Sequence, residues 1–234
     1  MPLFFCTKDN LADGKESGVI FMNGVRFGNY HSYDDFNLIL TQKTIGTPSP
    51  KTETIDIPGG DGVLDLTEFF GEVKYNNRPL SFEFSTIVPK EEFMELFSRV
   101  QNAIHGQKMQ IVMDDDSEWF YFGRITVSEW KADKNIGKLT IDCDCEPYKT
   151  RLGDTEIFQM VEGTETKVIL PNGRKTVVPL IEITGNVNLT YGENFWTLSA
   201  GRYELPALIL QNGNNEILVG GTGTATFTYR ERGL

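Results

Sequence analysis

Only one stretch of this chain carries an apolar period that an α-helix can use, so nearly everything else has to fold as strand and turn. In PKEEFMELFSRVQNAIHG, residues 89–106, the side chains of Phe93, Leu96, Phe97, Val100 and Ile104 recur at helical offsets and fall on one stripe. Pro89 suits a first turn, Glu91 and Glu92 sit near the positive end, and Gly106 is a natural terminator. A helix over 89–105 is marginal by itself. Burying that stripe at ~1.5–3 kcal/mol per side chain contributes on the order of 8–15 kcal/mol before entropy, so the helix exists by packing on a sheet.

Strand signals fill the remainder. Leu80, Phe82 and Phe84 alternate with Ser81, Glu83 and Ser85 in the segment Arg78–Val88, and Leu139, Ile141, Cys143 and Cys145 alternate with Thr140, Asp142 and Asp144. Residues 109–148 read as a three-stranded antiparallel meander with polar turns at Asp114–Glu118 and Lys131–Gly137. Upstream, Asn23-Gly24 inside VIFMNGVRF (Val19–Phe27) is a hairpin signal. Residues 41–62 are rich in Thr, Pro and Gly and poor in large apolar groups, which predicts a long surface loop. A linker-like TRLGDT follows Tyr148, placing a boundary near residue 150. Beyond it, short strands recur about every ten residues, as in a small β-sandwich. The expectation is a mostly β protein with one α-helix and two units, residues 1–150 and 151–234.

Charge narrows the partners. The net charge is −11, with 15 basic against 24 acidic residues in 1–150 and 7 against 9 in 151–234. A surface of that sign repels phosphate backbones and anionic headgroups. No apolar run is long enough to span a bilayer, and MPLFFCTKDN lacks a signal-peptide pattern, so the chain is expected to fold in a cytoplasm. Cys6, Cys143 and Cys145 show no disulfide framework and are read as reduced.

Catalytic and metal signals are weak. Asp114-Asp115-Asp116 lacks the alternating ligands of a calcium loop and reads as a solvated turn. Cys143 and Cys145 lack zinc partners at compatible spacing and read as core. His31 and His105 are the only histidines; His105 ends the helix, and nothing marks a nucleophile for His31. Pro58-Gly59-Gly60-Asp61-Gly62 is followed by the strand-like Val63-Leu64-Asp65-Leu66 rather than a Lys-Ser/Thr and a helix, so it is a turn and not a phosphate cradle. Trp196 and Tyr191 could form a sugar-stacking platform, although a half-buried core aromatic explains Trp196 as well. No catalytic, cofactor-binding or metal residue is selected, and an enzyme is not expected.

The order of features resembles the distal tail protein (Dit) family of long, non-contractile-tailed phages and prophages. The matching residues run from Phe21-x-Asn23-Gly24 through Ile57-Pro58-Gly59-Gly60-Asp61-Gly62, Leu64-Asp65 and Tyr75-Asn76-Asn77-Arg78-Pro79. They continue with the Phe93–Ile104 helix, Gly106, Tyr121-x-Gly123-Arg124 and Asp142-x-Asp144-Cys145-x-Pro147-Tyr148-Lys149. Pro179-x-Ile181-x-Ile183 and Gly213-Asn214-Asn215 with Ile217 are similar to the galectin-like sandwich of that family. Gly60 stands where the family pattern leads one to expect a basic residue, so no side chain is present there to make a contact.

The resemblance implies an N-terminal antiparallel β-sandwich-like ring domain, packed by the helix, and a C-terminal galectin-like β-sandwich. It implies a homohexameric ring in which a loop such as 41–62, with Pro48, Pro50, Ile57 and Asp61, reaches a neighbour. It implies as partners the tail tube protein, the tail-tip or tail-associated lysin protein and a receptor-binding protein, with DNA only as cargo and the virion tail tip as location. The acidity of residues 1–150 then suits a bore that passes DNA without binding it. The second domain is short, with no room for the extended receptor-binding arm of some relatives, and only Trp196 with scattered Asn and Arg serves galectin-type recognition. The alternative from another class is a carbohydrate-binding module adhering to host wall polysaccharide.

Overall fold

The apolar alternations become strands that bury one face. In the computed structural model, which describes residues 23–69, 71–86, 88–133 and 136–234, the first part of the chain comprises β1 (Val25–Phe27), β2 (Tyr30–His31), β3 (Ile39–Ile45), β4 (Thr54–Asp56), β5 (Val63–Asp65) and β6 (Arg78–Thr86). Then follow α1 (Phe93–Ile104), β7 (Lys108–Met113), β8 (Trp119–Asp133), β9 (Ile136–Cys145) and β10 (Lys149–Arg151). One antiparallel sheet takes the order β2-β1-β7-β8-β9-β6-β3, with β10 on the start of β8. Along β6 the residues Arg78, Leu80, Phe82, Phe84 and Thr86 are all buried, and along β9 Leu139, Ile141, Cys143 and Cys145 are. The period-2 pattern thus sets which face turns inward.

That sheet curls over its own apolar face. Phe27 on β1 meets Phe82 and Phe84 on β6 with ring centroids 5.8 and 6.3 Å apart, although four strand spacings separate β1 from β6, about 19 Å if the sheet were flat. A register shift between Val127 and Glu129 inserts a bulge into β8, the device that bends a strand. At Gly123, on the buried face of β8, any side chain would run into the Cys145 thiol and the Asp144 carbonyl. Helix α1 closes the open end with Phe93, Leu96, Val100 and Ile104. Trp130 packs against Phe93 and Phe97 at centroid distances of 5.7 and 5.5 Å. A short 3-10 turn, Lys90–Glu92, leads into α1, and Gly106 leaves it at φ 74°.

The second part is a single sheet of β11 (Thr155–Glu162), β12 (Thr166–Asn172), β13 (Leu180–Tyr191), β14 (Asn194–Leu198), β15 (Gly201–Glu204) and β16 (Gly213–Tyr229). Strand β16 pairs with β12 through its first half, with β11 through its second and with β13 along its middle and end. At ~3.3 Å per residue it would stretch about 56 Å, yet its two halves bury Ile217, Val219, Ala225 and Phe227 in one cluster. The sheet therefore folds over on itself as a sandwich, and the fold line runs through Gly185, Gly221 and Gly223. Each has positive φ, and a Cβ there would collide with the carbonyl of Thr222, Asn186 or Thr184 respectively.

The linker expected in TRLGDT is instead part of the structure. Strand β17 (Arg232–Gly233) returns from the C-terminal end to pair with β10, and β10 pairs with β8. Arg151 bonds Glu231 at 2.8 Å and lies 3.3 Å from Glu118. The opening hairpin also differs. The described paired strands β1 and β2 turn at Gly28-Asn29, whereas the first arm of the Asn23-Gly24 hairpin, like Cys6, lies outside the described residues.

Replacing Gly223 by Ala forces a methyl into the Thr184 carbonyl and should cost about 2–4 kcal/mol. Gly153→Ala, with open space around its Cβ, should stay within about 0.5 kcal/mol of the parent. Equal denaturation midpoints for the two variants would contradict the fold-over at Gly223.

Candidate assembly interface

Residues 41–62 are not a structureless loop. Strand β3 takes residues 41–45 and pairs with β6, and Pro48 is buried. What projects is a hairpin in which Thr54, Ile55 and Asp56 face Asp65, Leu64 and Val63. Its turn is the glycine run, with Gly59 at φ 77° and Gly62 at φ 78°, values that glycine adopts without strain. Ile57 and Asp61 sit exposed at this tip, Pro50 at the base. Pro48, buried, is withdrawn from any contact with a neighbour.

Every residue from Lys51 to Asp65 is exposed, including Ile55, Ile57, Val63 and Leu64 at 53%, 49%, 54% and 48%. A two-stranded hairpin in water is marginal without a surface to cover. Strand alternation divides the arm into two faces. Ile55, Ile57 and Leu64 fall on one, and Asp56 and Asp65 with Val63 on the other.

The base of the arm is fastened. Lys51 donates to the Lys74 carbonyl and Asn76 to the Ser49 carbonyl, both at 2.8 Å. Tyr75, bridged to Pro50, packs edge-on against Tyr148 at 5.9 Å. From the second unit, Arg174 reaches the Tyr75 hydroxyl at 3.4 Å, Lys175 lies 3.7 Å from Glu72, and the Lys175 ammonium stands 6.0 Å from the Tyr148 ring centre.

Other residues marked in the sequence have structural surroundings. Tyr191 and Trp196 lie on neighbouring strands in the register Leu189↔Trp196 and Tyr191↔Asn194, which puts both on the side of β13 and β14 that faces the core. Both pack against the core cluster. The Tyr191 hydroxyl is 3.0 Å from the Ile209 carbonyl and from Asn215 Oδ1. Phe195, 60% exposed, points outward instead.

The aspartate run is a largely exposed turn, as expected, and its carboxylates also hold partners. Asp114 Oδ2 accepts from the Gly24 amide at 2.7 Å and lies 3.1 Å from His31 Nε2; Asp115 pairs with Lys43, and Asp116 with Lys149 at 2.8 Å. The turn thus ties β2, β3 and β10 together. His31 Nδ1 accepts from the Asp34 amide at 3.2 Å, and His105 Nδ1 accepts from the Val127 amide at 3.0 Å, so both rings serve as hydrogen-bonding struts. Arg78 is buried with its guanidinium against the Tyr121 ring and 3.3 Å from the hydroxyl. Among the described residues no group of three His, Cys, Asp or Glu is placed to hold a metal ion.

No family model and no curated protein sequence matches the chain. A solved structure does: the Dit protein (gp 19.1) of SPP1, described as a paradigm of the hub adsorption apparatus in phages infecting Gram-positive bacteria. The superposition covers 89% of this chain and 98% of that one with a TM-score of 0.62 at 14% identity. The chain has the Dit fold. At 14% identity the likeness rests on the path of the backbone.

Burial also quiets Cys143 and Cys145. Desolvation, then Asp144, pushes the Cys145 thiol up to about 12, and desolvation first raises Cys143 as well. Unfolded thiols ionise near 9.0, so above that pH the unfolded chain loses protons that the folded chain keeps, and stability falls as pH rises. In a Cys6→Ser chain at about pH 8, a thiol reagent should leave Cys143 and Cys145 unlabelled until denaturant is added. Labelling at the rate of a free thiol would show that the β9 face is open.

Proposed function

We propose that the chain is a non-catalytic structural subunit of a phage tail tip, a baseplate hub that assembles as a homohexameric ring. Residues 1–150 form the ring and residues 151–234 a peripheral galectin-like sandwich. The ring joins the tail tube to the tail-tip or tail-associated lysin protein, with a receptor-binding protein docking at its rim and DNA passing the acidic bore as cargo. The observation that carries this reading is the arm from Lys51 to Asp65, ordered as a hairpin yet exposed along its whole length. Its apolar face is left without a cover in one chain, and a neighbouring copy supplies one. The Dit fold supports the same reading, since the SPP1 protein is described as part of a hub adsorption apparatus.

The alternative, a carbohydrate-binding module, has no observation of this kind behind it. A stacking platform needs an aromatic face open to a sugar, and Trp196 and Tyr191 both sit on the core side of their strands.

Light scattering on the purified chain at increasing concentration should show a species near six times 26.4 kDa. Replacing residues 52–66 by a short Gly-Ser linker should abolish that species while leaving the unfolding transition in place, because the segment contributes nothing to either core cluster. A hexamer that persists without the arm would remove the basis of the reading.

A further inference from the structure

A strand that ends a sheet presents unpaired amides and carbonyls, and proteins guard such edges with short strands, lysines, prolines or bulges. Most edges of the two large sheets are guarded in this way. Strands β2, β14, β15 and β17 have two, five, four and two residues. Strand β3 carries Lys43 and a register shift between Leu40 and Gln42, and β12 carries Lys167 and Pro171. Strand β11, TEIFQMVE, has none of these devices: it runs for eight residues without Lys or Pro and pairs with β16 along its whole length without a register shift. Among the described residues no strand lies on its other side.

The phase of the ladder sets which backbone groups are open. The Gly163 amide donates to the Gly221 carbonyl at 2.7 Å, one step past the Glu162↔Thr222 pair. Ile157, Gln159 and Val161 therefore turn their backbone groups to β16, while Glu156, Phe158, Met160 and Glu162 turn theirs to the open side. The Met160 carbonyl accepts from the Gln159 side-chain amide at 2.6 Å; the Phe158 and Met160 amides have no strand to meet. The same residues point their side chains away from the core, with Phe158 59% and Met160 56% exposed beside the short Thr226 and Thr224 of β16. Glu156 and Glu162, both exposed, bracket this apolar pair and form no ion pair among the described residues.

We infer that β11 is a docking edge for an extended segment of a different protein, one with apolar side chains at alternate positions and a basic residue at each end. The segment adds to the sheet as a further strand: its backbone meets the open amides, its apolar side chains lie beside Phe158 and Met160, and its cations meet Glu156 and Glu162. The acidic brackets choose this occupant over a second copy. The antiparallel self-pairing that sets Phe158 beside Met160 places Glu156 opposite Glu162 at both ends, and like charges directly opposite are destabilising. The inference goes beyond the ring reading and is independent of it, because β11 belongs to the second unit.

The probe is a synthetic, fluorescently labelled peptide of alternating threonine and valine with an arginine at each end; the same peptide with glutamate ends is its control. With the full chain, anisotropy should show the arginine-ended peptide binding at least about tenfold more tightly than the control. Hydrogen exchange should slow in residues 156–162 when it binds. Glu156→Lys with Glu162→Lys, both exposed, should reverse the preference between the two peptides. Met160→Pro removes a donor from the open side only, so it should weaken the arginine-ended peptide by about tenfold while thermal unfolding stays close to that of the parent. No binding at millimolar peptide, equal binding of both peptides, or slowed exchange elsewhere but not in β11 overturns the inference. Exchange in β11 that slows with protein concentration alone would make a second copy the occupant and overturn the choice of a foreign strand. None of these results touches the ring, which light scattering reads separately.

Discussion

An antiparallel sheet with one apolar face has to cover that face, and both halves of this molecule do it by folding a continuous sheet over on itself. In the first half the bend is made by the bulge beyond Val127 and by the close approach of β9 at Gly123, with α1 closing the end. In the second it is made by three glycines at which a Cβ would meet a carbonyl of the facing strand. Because the two cores are complete within one chain, the outer faces are free to be polar. The apolar surface left on the Ile55–Leu64 hairpin cannot then be explained as unfinished core.

What the sequence revealed follows from the same physics. Side chains that are buried on one face print a period, and the helix from Phe93 to Ile104, the alternation from Leu80 to Phe84 and that from Leu139 to Cys145 were legible for that reason. The arm printed only a short one, Ile55 and Ile57 about Asp56, within a stretch rich in Thr, Pro and Gly. A hairpin with no buried residue is under no constraint to alternate toward a core, so residues 41–62 looked like loop although β3 occupies their start and β4 their later part. The aspartate run is the turn the sequence suggests, but its partners, Gly24, His31, Lys43 and Lys149, are distant in sequence and meet only after β2, β3 and β10 are in place. The half-buried place of Trp196 was legible too, since Leu198, two residues on, shares its face and is buried.

The boundary between the halves shows how a period-free segment can still be ordered. The segment TRLGDT reads as a linker, but backbone pairing of β10 with both β8 and β17 and the Arg151–Glu231 bond at 2.8 Å fix it. Such pairing depends on a strand eighty residues away, and no local pattern announces it.

This fixed boundary matters for the arm. A hairpin that gains little from its own packing loses affinity when it must be ordered on docking, and holding its base in place reduces that cost. The ion pair of Lys175 with Glu72, exposed and 3.7 Å long, adds little stability by itself. The ladder of Lys51 and Asn76 on Lys74 and Ser49, together with the Tyr75 ring against Tyr148, contributes more, because backbone hydrogen bonds and a packed ring are not screened by salt. Tyr148 precedes β10 directly, so the same residues that join the two halves also set the direction in which the arm leaves the molecule. Two sheets folded over their own cores and joined through β10 and β17 form the mount from which the exposed hairpin projects.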